Sequence, residues 1–144
     1  MSNELALSVV MPSYNRAETI RETLRHLAEQ ELDPASYEVI VVVDGSTDHT
    51  RAVLDDAASL VPFRLRCLYQ SNQGPGHAQN RGLEAAQAPI VLVMADDILM
   101  TPQALGAHLA MHQAHPGQEV AVLGRVEQSP TLDGSVFQIG RAHV

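Results

Sequence analysis

A chain of 144 residues fits one domain and is long enough to bury a core, but it is short for a two-domain enzyme. With 45% apolar and 18% charged residues it is not a disordered chain, and a net charge of -8 excludes nonspecific nucleic-acid binding, which needs a basic footprint. The single cysteine, Cys67, excludes an internal disulfide framework, no segment is apolar enough for a bilayer span, and Met1–Leu5 lacks the basic start of a secretory leader; the expectation is a cytoplasmic protein, with peripheral membrane association left open.

Leu7 to Met11 is apolar and forms the first strand, and Pro12-Ser13-Tyr14-Asn15 supplies turn chemistry after it. Ile20, Leu24 and Leu27 recur at helical spacing within a helix from Ala17 to about Glu31, which Asp33-Pro34 ends. Tyr37 to Val43 is an apolar run and the second strand. Asp44-Gly45-Ser46-Thr47-Asp48 closes it, with Ser46 or Thr47 placed to cap the next helix and leave Asp44 free. That helix carries Val53, Ala57, Leu60 and Val61 on one stripe and stops before Pro62; Phe63 to Tyr69 then alternates apolar residues with Arg64 and Arg66, as an edge strand does. After the loop Ser71–Gly76 a helix runs from about His77 to Gln87, its small Ala78, Gly82, Ala85 and Ala86 allowing close approach to a sheet. Ile90–Ala95 is unbroken and apolar, reads as a strand covered on both faces, and stops at Asp96-Asp97. A helix opened by Pro102 and ended near His115-Pro116-Gly117, a strand at Ala121–Val126, and a weak strand or tail through Gln138 and Ile139 complete the chain.

Strand and helix alternate, so the expected fold is α/β, a mainly parallel, Rossmann-like sheet with helices on both faces. The edge-like third strand gives the order 3-2-1-4. The chain changes direction between strands 1 and 4, and the crevice there is where ligands bind. Strands 2 and 4 flank strand 1, so the loops after them lie about 10 Å apart across one cleft.

Four stretches resemble family 2 glycosyltransferases: Ser8–Asn15, Val39–Asp48, Asn72–Gly82 and Ile90–Leu99. They stand in that family's order and spacing over about two-thirds of the chain. The resemblance implies the GT-A fold and a nucleoside-diphosphate sugar as donor, with transfer of the sugar, with inversion, to an acceptor hydroxyl on a saccharide, lipid or protein. Pro12, Ser13 and Tyr14 match the turn that lines the base pocket, and Tyr14 is placed to stack on the base. Asp44 is placed to accept a hydrogen bond from a base imide or a ribose hydroxyl. Gln79 stands where the family has a nucleotide-contacting arginine, and the start of that helix offers backbone N–H groups to an anion. At the acidic pair the resemblance implies Mg²⁺ or Mn²⁺, with substrate phosphates completing the shell. Adjacent side chains on an extended strand point oppositely. Asp97 is therefore the expected metal ligand, while Asp96 contacts ribose or orients the loop.

Three positions depart from the family pattern: Val43, Gln79 and Ala95 replace an acid, an arginine and an acid. The family's catalytic base is a carboxylate well downstream of the acidic pair. Here only Glu119, Glu127 and Asp133 follow, none in a recognisable base motif, so the catalytic residue is unassigned. The expectation is one nucleotide-sugar-binding domain over residues 1–144 without the usual acceptor segment. A noncatalytic GT-A-like binding or assembly module is the alternative. A sugar-phosphate nucleotidyltransferase ranks last, because Pro12–Asn15 has no glycine. His108, His112 and His115 share helical spacing but lack the Glu of a His-Glu-x-x-His site, and read as a solvent-facing stripe.

Overall fold

The computed structural model describes residues 4–117, 119–128 and 137–143, of which Gln128 and 137–143 by backbone alone. Strand β1 (Leu7–Ser13) leads to helix α1 (Ala17–Ala28), one 3₁₀ turn at Pro34–Ser36 and strand β2 (Tyr37–Asp44). Helix α2 (Thr50–Ala58), strand β3 (Arg64–Gln70), helix α3 (Pro75–Ala85) and strand β4 (Ile90–Val93) follow. These four strands form one parallel sheet in the order β3-β2-β1-β4, as the alternation of elements required.

β1 and β2 are the central strands, and β2 is buried along its whole length. Strand side chains alternate between faces. Leu7, Val9 and Met11 of β1 and Val39, Val41 and Val43 of β2 therefore share a core with Ile20, Leu24, Leu27, Val53 and Leu54 from α1 and α2. Val10, Ile40 and Val42 face the other way and meet Ala78 of α3. The small-residue face of α3 is required there: a Cβ on Gly82 would stand 2.3 Å from Val10 Cγ1. Helices thus cover both faces. The proposed α2 stripe is shorter than expected, since Leu60 lies beyond the helix and is 81% exposed.

Two expectations about the later chain are corrected. β4 is only partly covered, although Ile90 and Leu92 pack on one face of the sheet and Val91 on the other. It hydrogen-bonds only β1 among the described residues, Ile90 to Leu92 are half-buried, and Val93 is exposed. Apolar composition reports what a strand could bury, and the edge position limits what it does bury. After the acidic pair the chain also starts a second sheet. Strand β5 (Ile98–Met100) pairs in parallel with β7 (Phe137–His143), which pairs antiparallel with β6 (Leu123–Gln128). Helix α4 (Ala104–Ala114) lies between β5 and β6 in sequence, and its Ala104 and Leu105 join Ile98 and Met100 in the main core.

The carboxylate of Glu38 sits inside the β2 run, fully buried. It accepts from Ser8 Oγ at 2.7 Å, Gln87 N at 3.0 Å and Arg66 NH1 at 3.2 Å. Arg66 therefore folds inward from edge strand β3 instead of facing water. No described helix is long and apolar enough to cross a membrane.

Candidate functional site

The site begins where β1 and β2 run out side by side, with Ser13 in register with Val43. Asn15 has a left-handed backbone, φ 49°. Short polar side chains tolerate that conformation when they bond locally. Its Oδ1 accepts from Thr47 N at 2.7 Å and Asp48 N at 3.3 Å, and its own N–H donates to Ser46 Oγ at 2.9 Å. Ser46 and Thr47 thus brace the first loop against the second and do not cap α2. Asp48 is the cap. Its Oδ1 accepts from Thr50 N at 3.0 Å, and its Oδ2 accepts from Ala17 N at 3.3 Å at the start of α1.

Asp44, expected to be free, is clamped by the loop that precedes α3. Its Oδ1 accepts from Gln70 Nε2 and Gln73 N, both at 2.8 Å, and its Oδ2 from Gly74 N at 2.9 Å. Burial opposes its ionisation, but these hydrogen bonds outweigh burial and hold the carboxyl below the usual aspartate range. The clamp needs two glycines. Gly45 (φ 75°) turns the chain under Asn72, where an added Cβ would lie 2.6 Å from Asn72 N. Gly74 (φ 96°) opens α3, one residue ahead of Pro75 at its first position. Oδ2 of Asp44 has a single partner and keeps accepting capacity toward the cleft.

Asp96 and Asp97 lie in a turn between β4 and β5, not on extended strand. The argument that neighbouring side chains point oppositely therefore does not apply, and both carboxylates reach one guanidinium. Arg16 Nε stands 3.8 Å from Asp96 Oδ1, and Arg16 NH1 stands 3.4 Å from Asp97 Oδ2. Asp96 is buried and anchored. Its Oδ2 accepts from Ser13 Oγ at 2.8 Å, and its carbonyl accepts from Thr23 Oγ1 of α1. Burial raises the Asp96 carboxyl above the usual range, against the hydrogen bond from Ser13 and the charge of Arg16, and Asp97 adds its repulsion.

Pro12, Ser13, Tyr14, Asp44 and Asp96 line one cleft of about 290 Å³, together with Arg16, Asn72, Gly74 and Pro75. Tyr14 is half exposed there. Gln79 is exposed on α3 and is not among the lining residues, and Arg81 donates to the Tyr69 carbonyl at 2.7 Å. His108 departs from the expected wet stripe: it is buried on α4, and burial lowers its imidazole. Glu119 and Glu127 are exposed, and Asp133 lies outside the described residues. Burial pushes the Cys67 thiol up to about 11, which leaves it unreactive at neutral pH.

No group of three or more His, Cys, Asp or Glu among the described residues could hold an ion. Asp96 Oδ1 and the Asp97 carboxylate offer hard oxygen donors, a set that fits Mg²⁺ or Mn²⁺ only when a ligand's phosphates fill most of the shell. Sequence reasoning missed Arg16, Asn72, Gly74 and Pro75 as lining residues. Arg16 carried a signal, as a cation directly after the turn of a site expected to hold an anion.

The sequence model of glycosyl transferase family 2 matches residues 8–136. The chain is 38% identical over 122 residues to validoxylamine A glucosyltransferase of Streptomyces hygroscopicus subsp. limoneus, covering 82% of this chain and 26% of that protein. A crystal structure of Staphylococcus aureus TarS 1-349 in complex with UDP-GlcNAc aligns with TM-score 0.70 and 30% identity, over 78% of this chain and 32% of that one. The mannosyltransferase PcManGT from Pyrobaculum calidifontis, in complex with GDP-Man and Mn2+, aligns with TM-score 0.76 and 27% identity, over 84% of this chain and 35% of that one. The 3-2-1-4 sheet is the GT-A fold of these enzymes. The chain spans less than half the length of the curated relatives it matches.

Proposed function

Because the chain belongs to glycosyl transferase family 2, we propose that residues 1–144 form the nucleotide-sugar-binding domain of a glycosyltransferase. The observation that carries this reading is the single cleft in which Pro12, Ser13, Tyr14, Asp44 and Asp96 meet. In this assignment the base stacks on Tyr14 and donates an N–H to the open side of Asp44 Oδ2. Ser13 and Pro12 shape the floor. Gly74 and Pro75 bring the first turn of α3 to the donor, where N–H groups favour an anion, while Gln79 lies outside the cleft lining.

The diphosphate lies toward the acidic pair. Asp97, with a carboxylate less enclosed than that of Asp96, would hold Mg²⁺ or Mn²⁺ with the donor's phosphates, and Asp96 keeps the turn and its own Oδ1 in place. When bound, the cation supplies Lewis-acid stabilisation of the leaving diphosphate. The reaction assigned to the whole enzyme is attack of an acceptor hydroxyl on the anomeric carbon, which breaks the bond to the diphosphate and inverts the configuration. The names of the relatives support a nucleotide-sugar donor; the acceptor, a saccharide, lipid or protein, and the catalytic base are left unassigned. We place the protein in the cytoplasm, where the free thiol of Cys67 suits a reducing environment.

Calorimetric titration with uridine and guanosine diphosphates tests this reading. Mn²⁺ should tighten binding of one of them to the native chain by roughly tenfold or more, and Asp97→Ala should remove that gain. Equal, metal-indifferent affinities of the two proteins would favour instead a noncatalytic binding module, to which Ala95 in the acidic motif already points.

A further inference from the structure

All nine basic residues of this chain are arginines, and Arg16 is the one that lines the cleft. Its backbone is fixed, because it follows the braced Asn15 and its carbonyl accepts the α1 bond from Ile20 N at 2.8 Å. Its side chain is about half exposed, and both ion-pair distances, 3.4 and 3.8 Å, are longer than a close charge-assisted hydrogen bond. A long side chain on a fixed stem, loosely shared between two anions at the mouth of a cleft, can change partners at low cost.

We infer that Arg16 is an exchangeable cation of the site: it neutralises Asp96 and Asp97 while the cleft is empty and moves onto the diphosphate when a divalent cation arrives with it. The inference rests on the assignment of the cleft as a diphosphate site. Two carboxylates 3 to 4 Å from one guanidinium are partly neutralised by it. A divalent ion entering alone meets that positive charge, and like charges at this range repel. An ion entering with a diphosphate does not, since the guanidinium gains two phosphate oxygens in its planar fork as it leaves the carboxylates. Arg16 thereby couples metal binding to nucleotide binding, and it supplies cationic charge that Gln79 cannot.

The test measures Mn²⁺ binding by the loss of the free-ion electron paramagnetic resonance signal, and uridine diphosphate binding by calorimetry, in the native chain, Arg16→Gln and Arg16→Lys. Without nucleotide, Arg16→Gln should bind Mn²⁺ roughly three- to tenfold more tightly than the native chain; with saturating Mn²⁺ it should bind uridine diphosphate roughly tenfold more weakly. Arg16→Lys, keeping the charge without the fork, should leave Mn²⁺ affinity near native and lose part of the diphosphate affinity. Uridine, with no phosphate, should bind native and Arg16→Gln chains alike. Unchanged affinities in Arg16→Gln, or weakening of Mn²⁺ and uridine together with the diphosphate as expected for a mere buttress, would overturn the inference. Failure of the native chain to bind uridine diphosphate at all would instead remove the cleft assignment itself, and this inference with it.

Discussion

Asp48 serves two helices at once. One carboxylate oxygen takes the first N–H of α2 and the other takes the first N–H of α1, whose own N-cap residue, Arg16, offers no side-chain acceptor. Each cap contributes about 1 kcal/mol, so Asp48→Ala is expected to lower stability by about 2 kcal/mol in urea denaturation. A loss of only about 1 kcal/mol would show that the contact to Ala17 N at 3.3 Å is nominal, and no loss beyond that of a surface substitution would contradict both. The same residues illustrate what sequence resolves. Pro12, Ser13, Tyr14 and Asp44 carry their signal locally, in turn chemistry at strand ends, and the structure gathers them in one cleft. Arg16 with its acidic pair, and Ser13 with Asp96, are pairings across eighty or more positions, and only the folded sheet joins them. The clamp on Asp44 is illegible for a related reason, since its hydrogen-bond donors sit at the end of β3 and on the loop after it, 26 to 30 residues away.

At the level of elements, helical and strand periodicity located every member of the four-stranded sheet to within about two residues and gave its order. Periodicity is a property of one segment's faces, and edge position belongs to the assembly. That is why the Ile90–Val93 run looked fully buried and is half-exposed. The three-residue β5 was absorbed into the motif that precedes it, because a strand that short has too few positions to display alternation. Its pairing with β7, at Ile98↔Phe137, reaches across a helix and a strand, and no local pattern announces a partner that distant. Gly82 was the reverse case: a small residue on a helix face announced a close approach, and Val10 is in contact there.

The whole molecule carries eight more acidic than basic charges, yet the buried carboxylates of Glu38 and Asp44 and the exposed one of Asp48 are each supported individually. Burial works against ionisation of Glu38, Asp44 and Asp48, but hydrogen bonds to each outweigh it and lower all three. Carboxylates lowered in the folded state bind fewer protons there than in the unfolded chain. Their stabilisation is therefore present above the ordinary carboxylate range, about pH 4, and is lost as pH falls through the lowered values. Asp96 is raised and acts with the opposite sign, relieving strain in acid, but it is one group against three. Glu38→Gln removes the charge that Arg66 pairs with at 3.2 Å while keeping the volume. It is expected to cost about 2 kcal/mol near neutral pH, since Arg66 is partly solvated. Urea midpoints measured from about pH 7 to about pH 3 should show that deficit shrinking as the native Glu38 protonates; a deficit independent of pH would contradict the assigned charge.

The cleft is the proposed seat of a nucleoside diphosphate, with the acidic pair at its phosphate end. A crystal structure of this chain with uridine diphosphate and Mn²⁺ tests that most directly. The expected map has the base over Tyr14, an Asp97 oxygen within coordination distance of the ion (about 2.0–2.2 Å), and the Arg16 guanidinium on phosphate oxygens. Nucleotide bound elsewhere on the molecule, or in the cleft with Asp97 still paired to Arg16 and no ion beside it, would contradict the account.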